Sequence, residues 1–434
     1  MEISSRYLCA VTRGAAVALV LSFLLVTAGT TANAQAFRDD DRARGRTMLD
    51  LIKKDVLKHY YDPTYHGVDV EARFKVAADR IQQANSNGEV FSIIAQVLVD
   101  FKDSHLYFVP PSRSARVEYG WRMSIVGDKC YVTAVKPGSD AAAKGLKPGD
   151  MIHSVDGFQP TRENLWLLKY LYYTLRPRPG MQVVAVDPAG KARELAIEAR
   201  VTQGRRVLDL ADGDGTDLNA LIREAENEAQ ASRHRYITLG KDALVWKMPQ
   251  FDLPKRDVDK LMDEAKGASA VIIDMRGNGG GSEETMLRLI GNFFDTKVSV
   301  GTLKRRMESK PLVAESRGGD KVFKGKVVLL VDSGSGSAAE VLARVLQLEK
   351  RGTVIGDRSS GSVMRSRSHS YKYGVDTLVF YAASITDADL IMADGKSLEH
   401  VGVQPDEVVI PTAADLAAGR DPVMARAFAL AGLE

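Results

Sequence analysis

The spacing of apolar residues changes along the chain, and each change predicts a different kind of structure. Within residues 38–112, apolar positions recur every three or four residues, which is typical of helices that bury one face. The segment RTMLDLIKKDVLKHYYD shows this spacing most clearly and two later segments repeat it, so we predict an N-terminal helical bundle. The predicted buried stripe of the first helix consists of Met48, Leu51, Ile52, Val56 and Tyr60.

The pattern differs in the rest of the chain. Residues 117–200 contain short apolar runs separated by glycine and proline, which predicts strands joined by tight turns. Residues 203–235 are charged and polar, and we interpret them as a connecting segment. Between 236 and 412, buried apolar runs alternate with amphipathic ones, which predicts a βαβ series with a mainly parallel sheet. A final amphipathic helix is predicted within 413–434.

The first 34 residues have the composition of a secretory signal peptide. Two arginines precede the apolar stretch 14–29, and the small-residue site Ala-Asn-Ala follows at 32–34. The apolar stretch is shorter than the roughly 20 residues that a membrane-spanning helix requires. We therefore predict cleavage after Ala34, export across the inner membrane to a bacterial periplasm or the cell exterior, and no stable membrane anchor.

Charge and cysteine content narrow the class of protein. The 59 basic and 56 acidic side chains nearly balance, which argues against a nucleic-acid partner. Cleavage of the signal would remove Cys9 and leave Cys130 alone, so no intrachain disulfide is expected. The histidines show neither a His-Glu-x-x-His spacing nor a Cys/His cluster, so we predict no metal and no cofactor. The pattern leaves the oligomeric state open.

Two loops that each join a strand to a helix contain the candidate catalytic residues. The first, DMRGNGGGSEE, brings four glycines to a helix start, where backbone N–H groups can hold an anion or an oxyanion. No Gly-Lys-Ser/Thr follows, which excludes a P-loop. The second loop, VDSGSGSAAEVLARVLQ, has three candidate serines. Ser337 and Glu340 fit a capping box, in which Ser337 caps the following helix. A helix start also stabilises negative charge, so the sequence is compatible with Ser337 as a helix cap and with Ser337 as a nucleophile.

Residues 146–157, with the sequence LKPGDMIHSVDG, resemble a PDZ domain. The resemblance implies that an extended peptide binds as an added strand, with its terminal carboxylate held by backbone N–H groups. A purely structural PDZ domain is the alternative. The loop YGWRMS lies where this carboxylate would bind, so the predicted peptide-binding residues are Gly120, Trp121, Arg122 and Met123.

The segments VIIDMRGNGGG, SGSAAEVLA and LEHVGVQPD, in this order, resemble the carboxyl-terminal processing (tail-specific) protease family with a PDZ domain. The family includes the tricorn core protease and retinoid-binding repeats. The resemblance implies an α/β fold with a crotonase-like (ClpP/crotonase-type) catalytic core, an inserted PDZ domain and an N-terminal helical bundle. It also implies that Ser337 is the nucleophile. The processing branch takes its lysine base from a Gly-Lys motif, but here Ser362 follows Gly361.

The segment FKDSHLYF is similar to the Ser/His segment of the tricorn-like branch. This resemblance implies that His105 is the general base, oriented by Ser104 and Glu399. We expect the oxyanion to be held by the backbone of the glycine loop and of the helix start, at Gly279, Gly280 and Ala338.

The expected function is therefore an exported serine endopeptidase acting on proteins or peptides, with the PDZ domain recruiting or gating their C-terminal tails. Two alternatives stay open. One is a catalytically silent protein of the same fold that binds peptides or an apolar ligand. The other is a protease in which a different lysine serves as the base.

Overall fold

The computed structural model of the chain describes residues 38–111, 115–203, 233–374 and 379–433. The predicted signal peptide and most of the predicted connecting segment lie outside the described residues. Among the described helices, none combines the length and the apolar composition needed to cross a membrane.

Three helices form the N-terminal part of the molecule: α1 (Asp39–His59), α2 (Val70–Gln83) and α3 (Asn87–Val99). Side chains cap two of them, since Asp69 accepts from the Ala72 N–H and Ser86 accepts from the Glu89 N–H. The expected stripe on α1 is buried with one correction. Leu51 is 37% exposed and Leu49 is buried, because position 51 lies about 120° around the helix from the centre of the buried face.

The next part is a five-stranded antiparallel sheet in the order β3-β4-β5-β6-β7. Two short helices, α4 and α5, accompany it, and α5 continues as a wider π-helical turn over Tyr170–Leu175. The flanking strands β2 and β8 pair with each other where the chain enters and leaves this unit. The bounds are β2 (Ala115–Glu118), β3 (Trp121–Val126), β4 (Lys129–Val135), α4 (Asp140–Ala143), β5 (Met151–Val155), α5 (Leu165–Lys169), β6 (Gly180–Val186), β7 (Ala192–Glu198) and β8 (Arg200–Gln203).

A six-stranded sheet, parallel except for its edge strand β9, forms the centre of the C-terminal part in the order β18-β15-β14-β11-β10-β9. Its central strands β11 and β14 are buried on both sides, and successive residues of β11 enter opposite cores: Ile273 enters one and Ile272 the other. The elements are β9 (Arg235–Leu239), β10 (Ala243–Lys247), α6 (Lys255–Ala265), β11 (Ala270–Asp274), α7 (Glu283–Ile290), β14 (Lys326–Val331), α8 (Ala338–Leu348), β15 (Thr353–Gly356), β18 (Glu407–Val408), α9 (Ala413–Ala418) and α10 (Pro422–Ala431).

A second, antiparallel sheet was not predicted from the sequence. Its path is β1-β17-β12-β13, with β16 also paired to β17. It joins β1 from the N-terminal part to strands from the C-terminal part, so the segment just before β1 is held against the C-terminal part. The strands are β1 (Tyr107–Val109), β12 (Val298–Lys304), β13 (Ser309–Ala314), β16 (Arg365–Tyr373) and β17 (Val379–Met392).

Candidate active site

The two candidate loops meet at one edge of the central sheet. They follow β11 and β14, which are parallel neighbours, so both leave the carboxyl edge where α/β proteins bind their ligands. The Gly277 N–H donates to Asp332 Oδ1 at 2.8 Å, and the Gly336 N–H donates to the Asn278 carbonyl at 2.8 Å. A Cβ on Gly280 would lie 2.5 Å from the Cβ of Ser337, so only glycine fits beside this serine.

The structure distinguishes the three serines of the second loop. Ser333 Oγ donates to the Ile125 carbonyl at 2.6 Å. Ser335 is fully buried, and its Oγ donates to the Met275 carbonyl at 2.8 Å. Ser337 is partly exposed and immediately precedes α8. The hydroxyls of Ser333 and Ser335 therefore fasten the loop, whereas Ser337 is accessible to a substrate.

Ser337 has a strained backbone, with φ 54° and ψ −120°. Non-glycine residues rarely adopt such angles, which cost about 1–3 kcal/mol and tend to occur at functional sites. The strain is maintained by two acceptors of the Ser337 N–H: the Ser362 carbonyl at 2.8 Å and Glu340 Oε2 at 3.0 Å.

This strain can be measured. We expect Ser337→Gly to be more stable than Ser337→Ala by about 1 kcal/mol, because both lack the hydroxyl but only glycine tolerates positive φ without a Cβ penalty. Urea unfolding of the two variants provides the comparison. An alanine variant as stable as the glycine variant would show that the backbone at this position is unstrained.

His105, Ser104 and Glu399 form a hydrogen-bonded chain. Ser104 Oγ lies 2.8 Å from His105 Nδ1 and 3.0 Å from Glu399 Oε2. The Ser104 N–H donates to Glu399 Oε1 at 3.0 Å, although the two residues are 295 positions apart. A carboxylate only accepts, so Ser104 Oγ donates to Glu399 and accepts from His105 Nδ1–H. This assignment leaves a lone pair on His105 Nε2 for a proton.

The surroundings of His105 favour the neutral ring. Burial lowers the pKa of His105, while the negative charges of Glu399 and Asp103 oppose that change. Asp103, which was not among the predicted site residues, is buried and holds the segment that contains His105 through hydrogen bonds. Its Oδ1 accepts from the His105 N–H at 2.9 Å and from Thr386 Oγ1 at 2.8 Å, and its Oδ2 accepts from the Tyr60 hydroxyl at 3.0 Å. The sequence feature that indicates Asp103 is its position in the segment DSH, two residues before the histidine.

A second path of hydrogen bonds connects this chain to the loop that holds Ser337. The Val363 N–H donates to Glu399 Oε2 at 2.8 Å, and the preceding residue, Ser362, accepts from the Ser337 N–H. Glu399 and Ser337 are thus fixed to adjacent residues of one segment. Ser362, which follows Gly361 where the resemblance implies a lysine, accepts from the Ser337 N–H through its carbonyl, and its own N–H donates to Glu340 Oε2.

Glu340 is more than the capping residue that the sequence predicts. It is fully buried and accepts four hydrogen bonds: from the Ser337 and Ser362 N–H groups on Oε2, and from the Gly361 N–H and Ser359 Oγ on Oε1. Burial raises the pKa of Glu340 to about 7 against the opposing effect of these donors. Its carboxyl group therefore fastens the loop that holds Ser337 to the segment 359–362.

The predicted oxyanion donors need one correction. Ala338 begins α8, so its N–H has no partner within the helix. Among the described residues, neither the Ala338 N–H nor the exposed Gly279 N–H donates a hydrogen bond. The prediction was wrong for Gly280, because its N–H already donates to the buried Asn278 Oδ1 at 2.8 Å. Gly280 instead provides the close approach to Ser337.

The four predicted peptide-binding residues lie at the start of β3 and directly before it. The side chains of Trp121 and Met123 are 5% and 6% exposed and belong to the core of the five-stranded sheet, because alternate residues of β3 face inward. Gly120 packs against Ser139, and only Arg122 is exposed. These residues can therefore offer a peptide their backbone and the Arg122 side chain. The strand itself is suitable, since β3 is an edge strand of its sheet.

Comparisons with known proteins agree with this architecture. Residues 243–409 match the model of Peptidase family S41, and residues 113–164 match the model of the PDZ domain. The tail-specific protease of Haemophilus influenzae is 25% identical over 353 residues, which cover 77% of this chain and 47% of that protein. The chloroplastic C-terminal processing peptidase of Tetradesmus obliquus is 22% identical over 378 residues, covering 81% of this chain and 74% of that protein.

Solved structures show the same fold at low sequence identity. Mature CPAF superposes with a TM-score of 0.62 at 14% identity, covering 87% of this chain and 94% of that one. Mature CPAF complexed with lactacystin gives 0.64 at 13% identity, covering 90% and 98%.

These matches define an α/β peptidase-type core combined with a PDZ domain. Residues 243–409 thus resemble peptidase family S41, and the chain is similar to the tail-specific and C-terminal processing proteases. It spans 47%, 32% and 52% of the length of the first three curated relatives that it matches.

Proposed function

We propose that the protein is an exported serine endopeptidase in which Ser337 is the nucleophile and His105 the general base. The main supporting observation is the hydrogen-bonded path from His105 through Ser104, Glu399 and Val363 to the segment that holds Ser337. We also propose that the core is crotonase-like, on the basis of its parallel βαβ sheet and the second sheet packed beside it.

In this mechanism, Ser337 Oγ attacks the scissile carbonyl carbon while His105 Nε2 takes the hydroxyl proton. The resulting imidazolium donates through Nδ1 to Ser104, which donates to Glu399, so its positive charge is stabilised at a distance. The oxyanion accepts from the Ala338 N–H at the start of α8 and from the Gly279 N–H in the loop between β11 and α7. The imidazolium then protonates the leaving amine, and the acyl group on Ser337 is released by a water that His105 deprotonates.

The pH profile tests the role of Glu399. His105 must be neutral to act as a base and its pKa is lowered by burial, so we expect the acid limb of kcat/KM below about pH 6.5. Glu399→Gln removes a charge that raises this pKa. The limb should therefore shift further to the acid side, while kcat falls by about 10²- to 10⁴-fold.

The matched control is Glu407→Gln, which removes an exposed carboxylate paired with Arg426. It should leave both the limb and kcat unchanged. An acid limb at the same pH in Glu399→Gln and wild type would mean that Glu399 does not act on the titrating base.

We further propose that the PDZ domain receives substrate tails along β3. A peptide added antiparallel to this edge strand would place its carboxylate near Gly120 and its upstream residues near Ile125. The Ile125 carbonyl accepts from Ser333, in the same loop as the nucleophile. Arg162 reinforces this contact by donating to Asp357 Oδ2 at 2.8 Å and to the Arg358 carbonyl at 2.9 Å. A tail bound here would direct the preceding chain toward Ser337.

Tail recognition predicts a difference between otherwise identical peptides. Amidation of the C-terminus should raise KM by about 10- to 100-fold, because it removes a charge-assisted acceptor for backbone N–H groups, and kcat should change little. Steady-state hydrolysis of an acid and amide pair measures this effect. Equal KM values for the two peptides would argue for a purely structural PDZ domain.

A further inference from the structure

Three partly exposed side chains with metal-binding atoms meet between α1 and β16. Asp55 and His59 lie one turn apart on α1, and His369 lies on β16. The Asp55 carboxylate is close to both rings, with Oδ1 3.9 Å from His59 Nε2 and Oδ2 3.5 Å from His369 Nδ1. One ligand atom from each residue lies within 4.8 Å of the other two.

These distances are close to those of a bound metal. Tetrahedral zinc with bonds of about 2.0–2.2 Å places its ligand atoms roughly 3.4 Å apart, so closure requires movements of about 1 Å. The side chains are 37%, 23% and 21% exposed for His59, Asp55 and His369. They are thus free to make such movements, and water can reach a fourth coordination position.

A neighbouring hydroxyl orients the carboxylate, and the two imidazole rings lie close together. The Tyr371 hydroxyl donates to Asp55 Oδ2 at 2.7 Å, in the way that outer hydrogen bonds fix metal ligands. The rings of His59 and His369 lie 4.9 Å apart, so two protonated rings would repel each other. The cations Lys58 and Arg367 also act on His59 and are expected to moderate the affinity for a metal.

We propose that Asp55, His59 and His369 form a binding site for a divalent transition metal of the zinc type, which fastens α1 to β16. Two imidazole nitrogens and one carboxylate oxygen suit zinc and its neighbours better than magnesium or calcium. The next residue after His59 is Tyr60, which donates to Asp103 behind His105. A metal here would therefore stabilise the end of α1 that supports the catalytic histidine.

The test is calorimetric titration of the metal-free full chain with zinc chloride near pH 7.5. We expect one zinc per chain, and at least tenfold weaker binding for His59→Ala and for His369→Ala. The matched control is His153→Ala, which removes an exposed histidine from β5 and should bind like the wild type. Absence of saturable binding to the wild type, or unchanged affinity in His369→Ala, overturns the proposal.

Two further readouts separate metal binding from a folding defect. Zinc should raise the Tm of the wild type and of His153→Ala but not of His369→Gln, whose Tm without metal reports on its own folding. Cobalt should give the visible absorption of a tetrahedral site in the wild type, and His369→Gln should lose it. An equal zinc-induced rise in Tm for wild type and His369→Gln would assign the metal to another site.

Discussion

Replacement of Ser337 by alanine is expected to lower kcat/KM for peptide substrates by about 10⁴- to 10⁶-fold. The hydroxyl forms the covalent bond to substrate in the proposed mechanism, so no neighbouring group can replace it. The alanine variant should remain folded, because the contacts of this residue with Ser362 and Glu340 are made by its backbone N–H. Hydrolysis of a fluorogenic peptide, with circular dichroism of the same samples, measures both outcomes.

Companion variants identify the base. His105→Ala should lose activity to a similar degree, and the double variant should lose little more, since nucleophile and base act as a unit. Ser362→Ala should be tolerated because this residue contributes its backbone. The rival base is a lysine, and burial lowers the pKa of Lys169, with Asp332 of the nucleophile loop close enough to act on it.

These variants also test the two alternatives. Loss of activity in Lys169→Met with retention in His105→Ala would replace the histidine mechanism by a lysine one. A wild-type protein that binds peptides but turns over none of them would support the catalytically silent alternative.

Replacement of Glu340 by alanine is expected to destabilise the protein by about 3–5 kcal/mol, a large effect for one substitution. The substitution leaves four hydrogen-bond donors without their acceptor, the fully buried Glu340 carboxylate. Two of these donors belong to Ser337 and Ser362, so the nucleophile loop should loosen and activity should fall as well. Urea unfolding gives the free energy of unfolding.

Glu349→Ala is the matched control, because Glu349 is exposed at the other end of the same helix, and it should change stability by less than about 0.5 kcal/mol. Glu340→Gln should lie between the two, since its amide retains the shape but turns an NH₂ group toward two donors. A Glu340→Ala variant as stable as Glu349→Ala would show that this carboxyl group does not fasten the loop.

Local features of the site could be predicted from the sequence. Ser337 and Glu340 are three residues apart, and one helix start fixes their relation. The buried strand and the glycine loop around residue 277 can be predicted from their composition alone. Selecting Ser337 among three serines depended on the family resemblance, and the structure adds a physical reason, because Ser333 and Ser335 are already hydrogen-bonded.

Features that depend on contacts between distant segments could not be predicted. The second sheet pairs β1 with β17, and neither strand has a composition that names its partner. The N–H of Gly280 is occupied by an asparagine side chain whose direction the sequence does not specify. The cluster of Asp55, His59 and His369 could not be predicted for the same reason. Only Asp55 and His59 are close in sequence, and two ligands alone do not form a metal-binding motif.

The catalytic pair is tested most directly by labelling with a serine-reactive fluorophosphonate, followed by mass spectrometry of the digested protein. We predict a single adduct on the peptide that contains Ser337 in the wild type, and its loss in His105→Ala, because the serine needs the histidine to become nucleophilic. Labelling of a different serine, or no labelling under conditions where the protein cleaves peptides, would contradict the assignment of Ser337 and His105.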